Sequence, residues 1–269
     1  MIKRSITFIT LALALTTLCQ AQSRKVITLS SWDFSRDGKA WQQVAVPHDW
    51  AISGPFDKKW DLQMVAIEQN GEKEKTEKSG RSGALPWIGE GMYKMNWTAP
   101  KGYKRAVLVF DGAMSQPVVK VNGKEAGRWA YGYNAFRIDI TPFIRFGKSN
   151  LIEVHLNNVE ESSRWYPGGG LYRPVSVELY GNENFSTWDT FVRTLKADKQ
   201  EAEVEVNALL EGKTGKSGKT VIALLDEAGK KVAEQTVSGA TPAVKTTLKV
   251  ANPQLWSPES PYLYQVKLT

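Results

Sequence analysis

The chain is built from short runs in which apolar residues alternate with polar ones, and that pattern most limits what it can fold into. In NAFRIDITPFI (134–144), Phe136, Ile138 and Ile140 alternate with Arg137, Asp139 and Thr141. An extended backbone turns successive side chains to opposite faces, so one face of this run packs inward and the other meets water. RAVLVFDGA (105–113) and LIEVHLNNV (151–159) are further short runs rich in strand formers. In PVVKVNGKEAG (117–127), Asn122-Gly123 falls between alternating residues and reads as a tight hairpin turn. The pattern shows no long helical period, so the expected class is all-β, with the strands packed as sandwiches.

The first residues read as an export leader. Lys3 and Arg4 precede an apolar run from Ile6 through Leu18, and Cys19-Gln20-Ala21 supplies small residues for cleavage before Gln22. Residues 1–21 are therefore a signal peptide and not part of the fold. The bulky Leu18 stands where acylation of Cys19 favours a small residue. The apolar run is short for a bilayer span, and no later segment approaches about 20 apolar residues. The expected location is outside the cytoplasm, periplasmic or extracellular. The formal net charge of +7 includes both leader cations, so the mature chain is only mildly basic. Its lysines lie in sign-mixed stretches such as NGEKEKTEKSGR (70–81), a solvated surface and no phosphate-binding stripe. Nucleic acid is not an expected partner. The single cysteine sits in the leader, which excludes disulfides, thiol nucleophiles and cysteine metal sites from the mature protein.

A boundary falls near LYGNENFSTWD (179–189), where polar residues follow the strand run PVSVELY. Residues 22–181 form one expected unit and residues 182–269 another. The second has the size and rhythm of an immunoglobulin-like sandwich. It stops at SPYLYQVKLT, a strand without a following turn, so that sandwich is expected to be incomplete. Residues 57–86 are long, polar and weakly periodic for a sandwich connection, and such loops are functional or simply solvated. Trp60 and Leu85-Pro86-Trp87 at their flanks are expected to dock against something.

Five phrases occur in order: VAVPHDWAISGPF (44–56), GEGMYKMNWTAP (89–100), LVFDGAMSQPVVKVNGKEAGRWAYGYNAFRIDIT (108–141), SSRWYPGGGLYRPVSV (162–177) and LWSPESPYLYQV (255–266). Together they resemble the N-terminal part of glycoside hydrolase family 2, especially bacterial β-galactosidases, over essentially the whole mature chain. The resemblance implies a galactose-binding-like jelly roll, then an immunoglobulin-like sandwich, then a (β/α)8 barrel that carries the chemistry and is missing here. A retaining glycosidase needs a carboxylic acid and a carboxylate about 5 to 5.5 Å apart. In the family both are barrel glutamates, and no position of this sequence matches their motifs, so no catalytic residue is expected here. Glu160 and Glu161 are adjacent, and on a strand they point to opposite faces. His48 and His155 lack a recognisable catalytic or metal-binding partner set.

The residues expected to bind substrate are Arg164, Asp49, Trp87, Glu90 and Trp165. Gly168, Gly169 and Gly170 permit a sharp turn and close approach of the backbone to another surface, which sets Arg164 and Trp165 at a rim. In the family the arginine matching Arg164 contacts the terminal sugar, and a planar donor fork suits that task. The other reading binds Arg164 to backbone carbonyls and buries Trp165. Asp49 is either a sugar contact or a turn aspartate capping nearby amides. Trp87 and Glu90 lie on the flank of the long loop that in the family can reach the sugar pocket. Some members place a cation-binding acid in the loop that holds Arg164, and the arginine argues against that role here. No cofactor is expected in this chain, although the resemblance allows a divalent or monovalent cation in the complete enzyme. The partners implied are a β-galactoside-type carbohydrate and the missing barrel. Other family activities, β-glucuronidase or β-mannosidase, and a noncatalytic carbohydrate-binding protein are the alternatives.

Overall fold

A computed structural model describes residues 24–69, 71–76, 85–159, 167–212, 218–239 and 242–269. The first strands are β1 (Lys25–Thr28), β2 (Ser31–Ser35) and β3 (Gln42–Ala45). Two single-turn 3-10 segments, Trp50–Ser53 and Lys58–Trp60, and a six-residue helix α1 (Met64–Gln69) then follow, the last two within the long polar connection. Next come β4 (Glu90–Thr98), β5 (Arg105–Phe110), β6 (Val118–Val121), β7 (Lys124–Arg128), β8 (Phe136–Asp139), β9 (Ser149–Asn157) and β10 (Val175–Tyr180). The remainder is β11 (Glu183–Phe185), β12 (Phe191–Ala197), β13 (Glu201–Gly212), β14 (Lys219–Leu225), β15 (Lys231–Ser238), β16 (Ala243–Ala251) and β17 (Gln265–Leu268). No helix among the described residues is long and apolar enough to cross a membrane.

The fold is all-β, as the alternation requires. β1 to β10 form two antiparallel sheets, one ordered β3-β2-β4-β9-β6-β7 and the other β1-β10-β5-β8. Between them lies one apolar core. Trp32, Phe34, Tyr93, Val119, Val121, Ile152, Val154 and Leu156 face inward from the six-stranded sheet, and Leu108, Phe110, Phe136, Ile138, Val175, Val177 and Leu179 from the four-stranded one. The β6–β7 hairpin turns at Asn122 and Gly123, both at positive φ (51° and 79°), as a two-residue turn matched to strand twist requires.

A second core is separate. Val206, Ala208, Val244, Leu248 and Val250 of β13 and β16 pack against Ile222 and Leu224 of β14. The sheets around it are β11-β13-β12, with β16 also paired to β13, and β15-β14-β17.

RAVLVF (105–110) is apolar at every position after the arginine because β5 is covered on both faces. Ala106, Leu108 and Phe110 enter the first core, while Val107 and Val109 cluster with Tyr180 on the opposite face. There Arg105 pairs with Glu211 of β13, and the Arg137 guanidinium lies 5.5 Å from the Trp188 ring centre.

If residues 22–181 and 182–269 are separate folding units, Leu108→Ala and Leu248→Ala act on different transitions. Each removes a fully enclosed leucine and is expected to cost about 2–5 kcal/mol. Differential scanning calorimetry should show Leu108→Ala lowering one transition and Leu248→Ala the other; equal depression of a single transition would refute two units.

Candidate functional site

The β9–β10 connection returns to the described structure at Pro167 and passes through Gly168, Gly169 and Gly170 at one end of the first sandwich. Each glycine answers a separate steric demand. Gly168 and Gly170 have φ of +72° and +112°, which side chains rarely tolerate. A Cβ on Gly169 would stand 2.3 Å from Trp50 Nε1, and one on Gly170 would stand 2.4 Å from Tyr93 Oη and 2.6 Å from the His48 carbonyl oxygen. The backbone therefore lies directly against the PHDW segment.

Hydrogen bonds hold it there from three sides. Trp50 N–H donates to the Gly169 carbonyl (2.9 Å) and His48 N–H to that of Leu171 (2.8 Å). Met114 and Gly170 exchange both backbone bonds (3.0 and 2.9 Å). The buried Asn158 amide donates to the Gly168 carbonyl (2.7 Å). Asp49 Oδ1 accepts from Gly169 N–H (3.0 Å) and Ala51 N–H (2.9 Å), so one carboxylate oxygen both caps the 3-10 turn and ties down the glycine run.

Aromatic rings fill the space beneath. Trp50 is fully buried, and Phe34 stacks on it at 5.7 Å and 20°. Its indole N–H has no hydrogen-bond partner among the described residues. Half-buried Trp87 packs its ring 5.4 Å from that of Trp50, and the Arg36 guanidinium sits 4.9 Å from the Trp87 ring centre. Arg36 also donates to the Gly54 carbonyl, and burial lowers its pKa. His48 Nδ1 and Tyr93 Oη lie 2.7 Å apart. Burial depresses the His48 pKa, Asp49 partly opposes that shift and Arg36 adds to it. Burial raises the Tyr93 hydroxyl well above its ordinary value.

The structure thus brings Asp49 and Trp87 to the glycine turn through Trp50. Glu90 stands apart. Gly91 faces inward, where a Cβ would be 2.3 Å from the Trp50 ring, so its neighbour on β4 faces outward. The exposed Glu90 carboxylate meets His155 Nε2 of β9 at 3.1 Å. Arg164 and Trp165, with Glu160 and Glu161, lie outside the described residues. Arg36, Trp50, Tyr93 and Asn158 belong to this end of the sandwich although sequence reading did not select them. Trp50 was next to a selected residue in PHDW, whereas the other three arrive from distant strands and loops. Among the described residues, no three His, Cys, Asp or Glu side chains gather closely enough to hold a metal ion. What the described geometry offers is a rigid mount with aromatic walls and one guanidinium.

Residues 186–269 match the family model of Glycosyl hydrolases family 2. Over 234 residues, 83% of this chain and 26% of the relative, the sequence is 32% identical to the beta-galactosidase BoGH2A of Bacteroides ovatus. The chain belongs to glycosyl hydrolase family 2. It is equally, at 32%, identical to a putative beta-glucuronidase of Formosa agariphila, across 90% of this chain and 22% of that protein. It superposes on a family 2 member from Bacteroides cellulosilyticus with a TM-score of 0.73 and 30% identity, covering 91% of this chain and 33% of the other. The family 2 chain thus spans about a quarter of the length of the curated relatives it matches, over their N-terminal part.

Two outcomes follow from this packing. Gly170→Ala adds a Cβ against Tyr93 and His48 at positive φ and is expected to destabilise the first sandwich by about 2 kcal/mol or more, as urea denaturation would measure. An unchanged midpoint would contradict the contact. A histidine whose folded pKa is depressed binds more protons when unfolded, so its contribution is complete above the ordinary value of about 6.5 and is lost as pH falls below it. Stability should therefore decline from pH 7 toward pH 5, and His48→Gln should flatten that decline; an identical slope in the variant would remove His48 as the cause.

Proposed function

We propose that this chain is the sugar-facing N-terminal region of an exported family 2 glycoside hydrolase that releases terminal β-linked galactose by a retaining mechanism. The observation that carries the reading is the shared identity with a beta-galactosidase across 83% of the chain, and the fixed glycine turn gives it a physical basis. The Asn158 amide bonds the Gly168 carbonyl at one end of the sandwich, and Arg164 lies between those two residues in the sequence. In this proposal Arg164 hydrogen-bonds hydroxyls of the terminal sugar, with Trp87 and Trp165 as apolar walls. Asp49 completes the proposed substrate-binding set and also acts through the turn it holds, whereas Glu90, paired with His155 on the outward side, stays outside it.

The acid and nucleophile belong to the barrel that the family places after these two units, so the chain binds and orients and the barrel does the chemistry. The leader of residues 1–21 supports export. The glucuronidase reading has its own support in the relative from Formosa agariphila. A guanidinium serves it as well, because the same planar fork bonds a carboxylate in two places.

The intact protein is expected to hydrolyse a 4-nitrophenyl β-galactoside with kcat/KM at least about tenfold above that for the matching β-glucuronide. The reverse preference assigns a glucuronidase, and hydrolysis of neither removes the proposal. Purified residues 22–269 are expected to hydrolyse neither. Arg164→Ala in the intact enzyme should lose a charge-assisted contact of about 1.5–3 kcal/mol, a fall of roughly tenfold to hundredfold in kcat/KM with unchanged melting temperature. Lower melting with normal kinetics would make Arg164 structural.

A further inference from the structure

The loop between β7 and β8 carries three aromatic residues that the site above does not use, in RWAYGYNAF (128–136). Trp129 is the outermost of three nearly parallel rings that rise from the core. Phe110 and Phe136, both buried, stack at 4.6 Å and 9°, and Trp129 stacks on Phe136 at 5.5 Å and 7°. Its indole N–H donates to Asn134 Oδ1 (2.9 Å) and its backbone N–H to the Pro117 carbonyl (3.0 Å). The ring is therefore fixed in orientation, yet the residue remains 39% exposed. Tyr131, 60% exposed, stands two residues further on with its ring 5.5 Å from that of Tyr133.

The loop itself is pinned. Tyr172 Oη donates to the Gly132 carbonyl (2.9 Å), Arg173 donates to that of Tyr133 (3.0 Å), and a Cβ on Gly132 would stand 2.5 Å from Met114 Sδ. Beside Trp129 lies an open cavity of about 390 Å³ lined by Gln116, Val118, Arg128, Trp129 and Ala130, within the range of small-ligand sites, about 300–1,000 Å³. Gln116 is held at φ +47°, a conformation that non-glycine residues keep only where their surroundings impose it. Arg128 is the one charged residue among the described lining residues, and Glu125 pairs with it through bonds of 2.9, 2.7 and 3.0 Å.

We propose that this is a binding site for a neutral saccharide, with one pyranose ring lying on the outward part of Trp129 and Tyr131 as a second contact. The C–H face of a pyranose packs on an aromatic plane, and a plane already locked by its neighbours loses little freedom when it binds. Gln116 lines the cavity with an amide that both donates and accepts, which suits hydroxyl groups. Among the described lining residues the one cation is already paired with Glu125, which favours a neutral ligand. A single fixed indole with a polar rim fits a sugar ring better than a protein partner, which would need a continuous apolar patch of several hundred square ångströms. The inference rests on the proposed carbohydrate function only for the broad class of ligand. It is read by binding, whereas that function is read by hydrolysis, so either can fail alone.

The test is a titration of the full chain followed by its tryptophan indole 1H–15N resonances, with that of Trp129 identified by its disappearance in Trp129→Phe. Methyl β-D-galactopyranoside and β-1,4-galactotetraose are expected to shift that resonance saturably, and Tyr131→Ala to weaken binding by about fivefold or more. Methyl β-D-glucuronide should bind no better than the galactoside. Absence of saturable change up to about 50 mM sugar, full binding by folded Tyr131→Ala, or tighter binding of the uronide overturns the proposal. A shift that follows protein concentration instead of sugar makes the patch a protein contact, which also overturns it. As a second measurement, affinity electrophoresis of the intact protein through soluble β-1,4-galactan should show retardation that Trp129→Ala and Tyr131→Ala abolish. Equal mobility of wild type and both variants counts against the site.

Discussion

Trp50 and Gly169 touch so closely that the glycine has no room for a single additional carbon, and much of the first sandwich's architecture follows from that contact. The indole is enclosed by Phe34, Tyr93 and Trp87. It can be so enclosed only because Gly91 and Gly169 approach it where any side chain would collide. A large aromatic surrounded in this way gains dispersion contacts over its whole surface and removes a large apolar area from water. The same closeness lets Asp49 reach the Gly169 amide across 120 residues of sequence. Gly168, Gly169 and Gly170 are consequently held in one place by backbone and side-chain bonds.

A second constraint acts on the opposite side of the four-stranded sheet. Glu178 is buried there and would be costly to ionise alone. Arg24, Arg137 and Tyr180 all bond its carboxylate. Burial works to raise the Glu178 pKa, but these three partners outweigh it and hold the carboxyl below its ordinary value. A few residues away Arg105 spans Asp139 of the first sandwich and Glu211 of the second. The covered face therefore combines a small apolar cluster, Val107, Val109 and Tyr180, with paired charges around it. These contacts lie on β5 and β10, both of which also line the first core.

The local sequence determined the strands, the hairpin at Asn122-Gly123 and the need for glycine at 168–170, because side-chain alternation and positive φ are properties of a few neighbouring residues. It also marked the apolar flank at Trp87 as a segment that docks, whereas Asp49 was singled out through the family resemblance of PHDW. The run in β5 read only as a strand, and that it is covered on both faces came from the packing. Only the tertiary structure showed that Asp49 spends one carboxylate oxygen on two amides, that Glu90 points away from Trp50 toward His155, and that Arg36 and Asn158 converge on the same end. Those are contacts between residues far apart in the chain, decided by how two sheets pack and twist. In the same way RWAYGYNAF showed four aromatics, but which were core and which surface depended on Phe110 and Phe136 lying beneath Trp129 and leaving part of it in water.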